Sequence, residues 1–397
     1  MAQEPGRRAL AITRYFTTEH GFEPEKYDGG IVIYKRINDQ GAVERIVVKH
    51  AELLQQIHAF DVNDEIEMEE RNLRRLWGAE HIIRLLAIVD SRRHRPRAWR
   101  EPVSRHLLDQ SSILPWKIRV RRADHPGATR FCFFVMEYLS RGDALSLIRR
   151  CQNLHIIEIS EPLLWYFALC LTRGCVAMAW PPNRDDRNPP PVEREQIPNP
   201  RPAASTLVHG DLHLGNIMFG DFDPRDDTQP SCHQGVPVLK IIDFNLAAEH
   251  HSAHEAQRDN IFHAMELIYQ LATLGDNNLV WNNDDDRPSF VVDDIQAENF
   301  DTWLDEDFYR SKQYSRNFRL FLARCFAIDP DRRPTVRRAL EICERHVART
   351  SNWRHLADEV TEIFDTVPDD TDDDDDSDSS YHPPSDDSDD EDYDDDN

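Results

Sequence analysis

The sequence predicts an α+β protein, with strands concentrated early in the chain and long helices later. Three observations carry this. β-branched and aromatic runs bounded by turn residues occupy 31–34, 46–49 and 131–136. Stretches of apolar or 3.6-periodic character at 66–76, 163–180, 259–272 and 335–346 read as helices. Residues 369–397 hold 17 acids and no Lys or Arg, so they cannot bury enough apolar area to fold and predict a disordered acidic tail.

That tail also explains the charge. The chain of 397 residues has a formal net charge of −26, but outside the tail 56 acids face 47 bases. Its 40% hydrophobic content supports a sizeable core, and the length suits one large domain of two lobes or two ordinary domains. Seven cysteines are scattered without ligand or paired spacing, which fits reduced thiols in an intracellular protein, cytoplasmic or nuclear. The two arginines near the start precede no apolar run, so no secretory signal is evident. Arg173 and Gly174 interrupt the most apolar stretch, 162–180, which favours a buried helix over a membrane span.

In chain order, residues 1–26 read as a polar N-terminal extension with a weak helical patch at 9–16 and no assigned function. A hairpin follows, its strands 31–34 and 46–49 separated by Asn38-Asp39-Gln40-Gly41. Lys49 closes the second strand. In the helix at 66–76, Ile66, Leu73 and Leu76 share a face with Glu69, while Glu70 turns away. A carboxylate on an apolar face needs a partner, and Lys49, two elements upstream, is the natural candidate. Residues 81–89 read as a further strand. Residues 91–130 form a basic loop with 11 Arg/Lys and three acids; its scarcity of aromatics argues against nucleic acid and leaves the acidic tail as an intramolecular partner. After the strand at 131–136, Glu137 to Asp143 form a break, and Asp143 suits a helix N-cap. Polar insertions are expected at 181–205 (flexible), 221–236 and 276–300, with 276–310 acidic and irregular, and a helical extension at 349–368.

The chemistry concentrates in Val208-His209-Gly210-Asp211-Leu212-His213-Leu214-Gly215-Asn216-Ile217, which sets Asp211 and Asn216 five residues apart in a loop. Phosphoryl transfer uses such a pair, an Asp to take the hydroxyl proton and an Asn to help hold a metal ion. Downstream, the strand at 238–242 ends in Asp243-Phe244-Asn245, a carboxylate suited to Mg²⁺.

Taken in order, these segments resemble the protein-kinase superfamily, in a divergent, fungal-type form of the Ser/Thr branch. The loop resembles H-R-D-L-x-x-x-N, Ile46-Val47-Val48-Lys49 resembles V-A-I-K, and Asp243-Phe244-Asn245 resembles D-F-G. Asp329-Pro330-Asp331-Arg332-Arg333-Pro334 resembles the D-P-x-x-R-P signature, with Thr335 capping the helix that follows. The resemblance implies a bilobal kinase-like fold over 27–348: a β-rich N-lobe at 27–136, a hinge at 137–142 and a mainly helical C-lobe at 143–348. It also implies ATP as ligand and Mg²⁺, or Mn²⁺, as cofactor. Asp211 would be the catalytic base, Asn216 and Asp243 the metal ligands, and Lys49, fixed by Glu69, the phosphate-binding cation. The backbone of Glu137 to Leu139 would meet adenine beside Met136, and Asp143 would lie near the ribose. Asp259 would support the catalytic loop from beneath.

Four departures shape the expectation. No glycine-rich G-x-G-x-x-G precedes Ile33. Asn245 replaces the final Gly of D-F-G, where its tolerance of positive φ limits the loss. His213 stands where protein kinases carry a Lys. Asp243 and Asp259 lie 16 residues apart with no A-P-E between them, so the activation segment is short, the Arg replaced by Gly210 has no switch to serve, and Arg333 needs a new partner. The expected function is an ATP- and Mg²⁺-dependent protein Ser/Thr kinase. A pseudokinase scaffold and a small-molecule phosphotransferase of aminoglycoside-kinase type stand as alternatives.

Overall fold

The structure, a computed structural model, describes residues 13–50, 62–90, 132–182, 191–221, 233–275, 288–293, 299–350 and 353–365, apart from 15, 19, 29, 201 and 234. It is a mixed α+β protein.

Strands β1 (Glu23–Asp28), β2 (Ile31–Ile37), β3 (Val43–His50), β4 (Leu85–Asp90) and β5 (Cys132–Glu137) form one antiparallel sheet in the order β1-β2-β3-β5-β4. Side-chain alternation sorts its two faces. Val32, Tyr34, Ile46, Val48, Phe133 and Val135 gather on one face with Phe16 and Phe22. Val47, Phe134 and Met136 join the main core on the other, together with Ile66 and Leu73 of helix α1 (Val62–Arg75) and Leu76 just after it. The period of two therefore puts Lys49, two residues after Val47, on the face that carries α1.

Further α-helices among the described residues are α2 (Ala144–Asn153), α3 (Glu161–Ala179), α4 (Ala253–Ala272), α5 (Glu306–Arg310), α6 (Arg316–Cys325), α7 (Val336–Val347) and α8 (Trp353–Asp365). Helix α3 is their axis: it packs against α4 and α7, and every residue from Leu163 to Ala179 is buried. It is long and apolar enough to cross a membrane, yet 94% of its most apolar window is buried inside the protein. Side-chain caps from Asp143, Ser252, Ser315 and Thr335 set the starts of α2, α4, α6 and α7, each accepting a first-turn N–H that no helical carbonyl can reach. Three two-stranded ladders complete the fold: β6 (Leu207–Val208) with β9 (Ala248–Glu249), β7 (Ile217–Phe219) with β8 (Leu239–Ile241), and β10 (Phe290–Val292) with β11 (Phe300–Thr302).

Several expectations need correction. The polar N-terminal stretch belongs in part to the sheet: β1 pairs with β2, and Phe16 lies against Tyr34 with ring centroids 4.9 Å apart. An edge strand reading Glu-Pro-Glu-Lys-Tyr-Asp shows no apolar alternation, because the side chains of residues 23–27 stay exposed or half-buried on both faces. The strand expected at 81–89 begins only at Leu85; residues 81–83 instead bond across to Ile241. Within 181–205, residues 191–200 are tied down through buried Glu195. The 276–310 stretch holds β10, β11 and α5, with Phe300 and Phe308 in the core. Helix α8 is an integral part: Arg141 meets Asp365 at 2.6 Å, Ser160 N–H donates to Glu359, and Phe364 packs on Phe219. The basic loop 91–130 and the acidic tail 369–397 lie outside the described residues, and so does any contact between them.

Candidate functional site

Lys49 is the meeting point of the sheet and the helical part. Its Nζ lies 2.7 Å from Glu69 Oε2 on α1 and 2.9 Å from Asp243 Oδ1 just beyond β8. Glu70, one residue on, turns to Arg74 at 2.7 Å. Lys49 and Glu69 are buried, whereas the Asp243 side chain is 30% exposed. Burial alone would lower the Lys49 pKa, but Glu69 and Asp243 outweigh it and the pKa is raised, so the cation is fixed. Burial pushes the Glu69 carboxyl up to about 7 against the pull of Lys49, and the charge on Asp243 adds to that rise. Two carboxylates share one cation, which leaves the cluster short of positive charge.

The Asp211–Asn216 loop is held against the same strand. Ile217 pairs with Ile241, and the Ile242 N–H donates to the Asn216 carbonyl at 2.9 Å. From the other side, buried His209 contacts the Ile242 carbonyl through Nε2 at 2.9 Å, while its Nδ1 accepts from the Asp211 N–H at 3.3 Å. That arrangement needs a neutral ring; burial lowers the His209 pKa, although the Ile242 carbonyl, Asp243 and Asp211 all oppose the fall. Asn216 Nδ2 donates to the Asp211 carbonyl at 2.8 Å and to its Oδ2 at 3.3 Å, which leaves Asn216 Oδ1 as the free acceptor. His213 Nε2 lies 3.6 Å from Asp211 Oδ2, and the Asp211 side chain is 40% exposed.

The segment after Asp243 is short and fully folded. Phe244 is buried against His209 with ring centroids 4.7 Å apart. Asn72 of α1, buried three residues beyond Glu69, donates to the Phe244 and Ala247 carbonyls at 3.2 Å each. The chain then pairs through β9 with β6 and enters α4 at Ser252. Close packing of this segment dictates Gly210: it sits at φ +80°, and a Cβ there would lie 2.5 Å from the Leu246 carbonyl oxygen. No side chain has room to begin at this position.

Two sequence expectations about this region are displaced by a residue or two. Asp259 does not support the loop; it faces His263 at 3.6 Å on its own helix. Its neighbour Asn260 holds the loop instead, accepting from His209 N–H at 3.1 Å and donating to the Leu207 carbonyl at 2.8 Å. A carboxamide offers a donor as well as an acceptor, which an ionised Asp cannot. The left-handed residue of the Asp-Phe-Asn turn is Asp243 itself, at φ +60°, rather than Asn245.

At the other edge, Glu137 binds by its side chain: Oε1 accepts from Lys240 Nζ at 2.6 Å and from the Arg84 N–H at 2.7 Å, while its own N–H donates to the Arg84 carbonyl at 3.0 Å. Leu139 is buried, and Asp143 caps α2 through the Ser146 N–H at 2.6 Å. Strands β1 and β2 are joined between Asp28 and Ile31, so no long loop spans this end of the sheet. Arg333 has found a new partner in the core: its Nε donates to the Ala327 carbonyl at 2.9 Å and its guanidinium lies 4.5 Å over Phe262.

The donor set suits a small hard cation. Asp243 and the Asn216 Oδ1 offer oxygen donors of the kind a hard cation takes, and two carboxylates beside the one Lys49 cation add negative charge. The sequence alone does not single out Asn72 or Asn260. A signal for Asn72 is nevertheless there, since it is a second polar residue beside the apolar stripe that carries Glu69. Comparison of the chain with protein families and with curated proteins finds no match.

Proposed function

We propose that the protein is an ATP-dependent phosphotransferase, a divergent Ser/Thr kinase whose five-stranded sheet with α1 forms one lobe, whose helical part forms the other, and whose segment 137–142 is the hinge. The observation that carries this reading is the bridge from Lys49 to both Glu69 and Asp243. It unites a strand cation, a helix carboxylate and a metal-type carboxylate, 194 residues apart for Lys49 and Asp243, beside a loop that presents Asp211 and Asn216.

In this mechanism Lys49, freed from Asp243 on nucleotide binding and still oriented by Glu69, holds the α- and β-phosphates. Asp211 accepts the proton of the acceptor hydroxyl as its oxygen forms the new bond to the γ-phosphorus and the bond to the β-phosphate oxygen breaks. Asn216 keeps Asp211 in place through Nδ2. Asp243 and the Asn216 Oδ1 would hold Mg²⁺, which would supply charge neutralisation at the phosphates. Positioning and charge compensation supply nearly all the acceleration in this chemistry. Hydroxyls of protein Ser/Thr are the proposed acceptors, and a parallel assay with pooled small alcohols separates the aminoglycoside-kinase alternative.

The test is ATP turnover by the full chain against Asp211→Asn. Loss of a general base lowers turnover by about 10²–10⁴-fold; equal rates in the two proteins would sink the assignment. One observation favours a scaffold reading instead: the β1–β2 junction is only two residues, Gly29-Gly30, too short to cover phosphates. A melting temperature unmoved by millimolar Mg²⁺-ATP would support that alternative, because a ligand at 100 times its Kd stabilises by about 2.7 kcal/mol.

A further inference from the structure

Away from the Lys49 site, four ionisable side chains from four separate segments converge in the interior. His81 follows α1, Cys170 lies on α3, Glu195 comes from the 191–200 segment, and His233 precedes β8. His81 and His233 are 0% exposed and Cys170 is 1% exposed. The two imidazole Nε2 atoms lie 3.0 Å apart. One ligand atom from each of His81, His233 and Cys170 falls within 4.8 Å of the other two. Glu195 receives His81 twice, from Nδ1 at 2.5 Å and from the backbone N–H at 2.7 Å.

We infer that His81, His233 and Cys170 form a buried zinc site, with Glu195 as the outer carboxylate that orients His81. Glu195, accepting at Nδ1, fixes the His81 tautomer so that the Nε2 lone pair points to His233, the arrangement common behind metal-bound histidines. Two imidazoles and a thiolate are the donor set of a borderline ion such as Zn²⁺. With Zn–N bonds of ~2.0–2.1 Å, a tetrahedral ion separates two nitrogens by about 3.3 Å, so the observed pair has only to part slightly. Cys170 moves in as it ionises, releasing its proton on binding, and a water takes the fourth position.

Charge supports the site. One thiolate and one carboxylate balance a doubly charged ion. The surrounding cations Arg173, Arg194 and Lys240 already face Glu344, Glu80 and Glu137. The consequence for the fold is direct. His81 accepts through its carbonyl from the Ile241 N–H at 2.9 Å, and Ile83 N–H returns a bond to the Ile241 carbonyl at 3.0 Å. An ion here would pin the strand that delivers Asp243 two residues later.

The test uses the full chain, purified without a metal-affinity column. Elemental analysis should find stoichiometric zinc. Stripping with a chelator should lower the melting temperature and zinc alone should restore it. Cobalt added to the stripped wild type should give a thiolate charge-transfer band with the intense visible bands of a tetrahedral ion, a readout that needs no variant to fold. Cys170→Ser should lose the charge-transfer band and His233→Gln the stoichiometric metal. A chain that carries no metal, gives no thiolate band with cobalt and melts identically in chelator and zinc holds a plain His–His–Glu hydrogen-bond chain, and the inference is overturned. Zinc retained in full by both variants would overturn it equally. None of these measurements involves ATP, so the phosphotransferase reading stands or falls separately.

Discussion

Two clusters of ionisable groups lie beside β8, and they handle charge in opposite ways. In one, Lys49, Glu69 and Asp243 keep formal charges in contact, partly open to water at Asp243. In the other, His81, His233 and Glu195 are sealed from solvent, and burial drives the His233 pKa well below its ordinary value, with His81, Arg173, Arg194 and Lys240 adding to the fall. The first cluster is held by ion pairs with one member open to water; the second is held by buried hydrogen bonds. A site that must bind and release a charged ligand keeps solvent access and surplus charge, whereas a staple between segments does neither.

Breaking the open cluster should give the largest effect. Lys49→Met strands Glu69 in the core, and removal of one member of a buried pair costs about 3–5 kcal/mol. Urea unfolding should register that loss, and Lys49→Met/Glu69→Leu should recover most of it; a double variant no more stable than the single would mean the pair matters little.

The loop between the clusters comes next. Gly210→Ala forces a side chain at φ +80° against the Leu246 carbonyl and should cost at least about 1–3 kcal/mol. Gly41→Ala, at φ +79° with open space around it, should show the conformational part alone, about 1–2 kcal/mol. Equal losses in melting temperature would remove the steric role assigned to Leu246.

Smaller still is the contrast between neighbours on α4. Asn260→Ala leaves the His209 N–H and the Leu207 carbonyl unpaired, for about 1–3 kcal/mol. Asp259→Ala, at a 42% exposed side chain, should stay within about 0.5 kcal/mol. Thermal unfolding of the pair decides which residue anchors the loop.

The finest effect is in pH dependence, where the two kinds of group slope oppositely. The folded pKa of His209 lies below its ordinary 6.5, so the unfolded chain binds more protons and the ring's contribution, present above 6.5, is lost as pH falls. Glu69 is raised from 4.5 to about 7, so its contribution is present below 4.5 and lost as pH rises through about 7. Between pH 5 and 7, His209→Asn should therefore flatten the rise of stability with pH, and Glu69→Gln should steepen it. The same sign of change in both variants would contradict the assignment.

Much of this architecture is legible in the amino-acid sequence. The β2–β3 hairpin, the apolar stripe of α1, the buried α3 and the cap at Thr335 each follow from a local period or a single capping side chain. Even the choice of Glu69 over Glu70 follows from helical spacing, and the structure pairs Lys49 with Glu69. Local rules fail where the partner is remote. Choosing Asn260 over Asp259 depends on which face of α4 meets the loop, and the positive φ of Asp243 depends on how tightly the chain folds back to β9.

By itself, the sequence determined the β2–β3 hairpin, the long helices and the residue types of the Lys49 site, because period, propensity and capping act within a few residues. Only the tertiary structure decided the convergence at His81, Cys170, Glu195 and His233. His81 meets Glu195 across 114 residues and His233 across 152, and no local pattern encodes a contact made when separate segments pack around one helix.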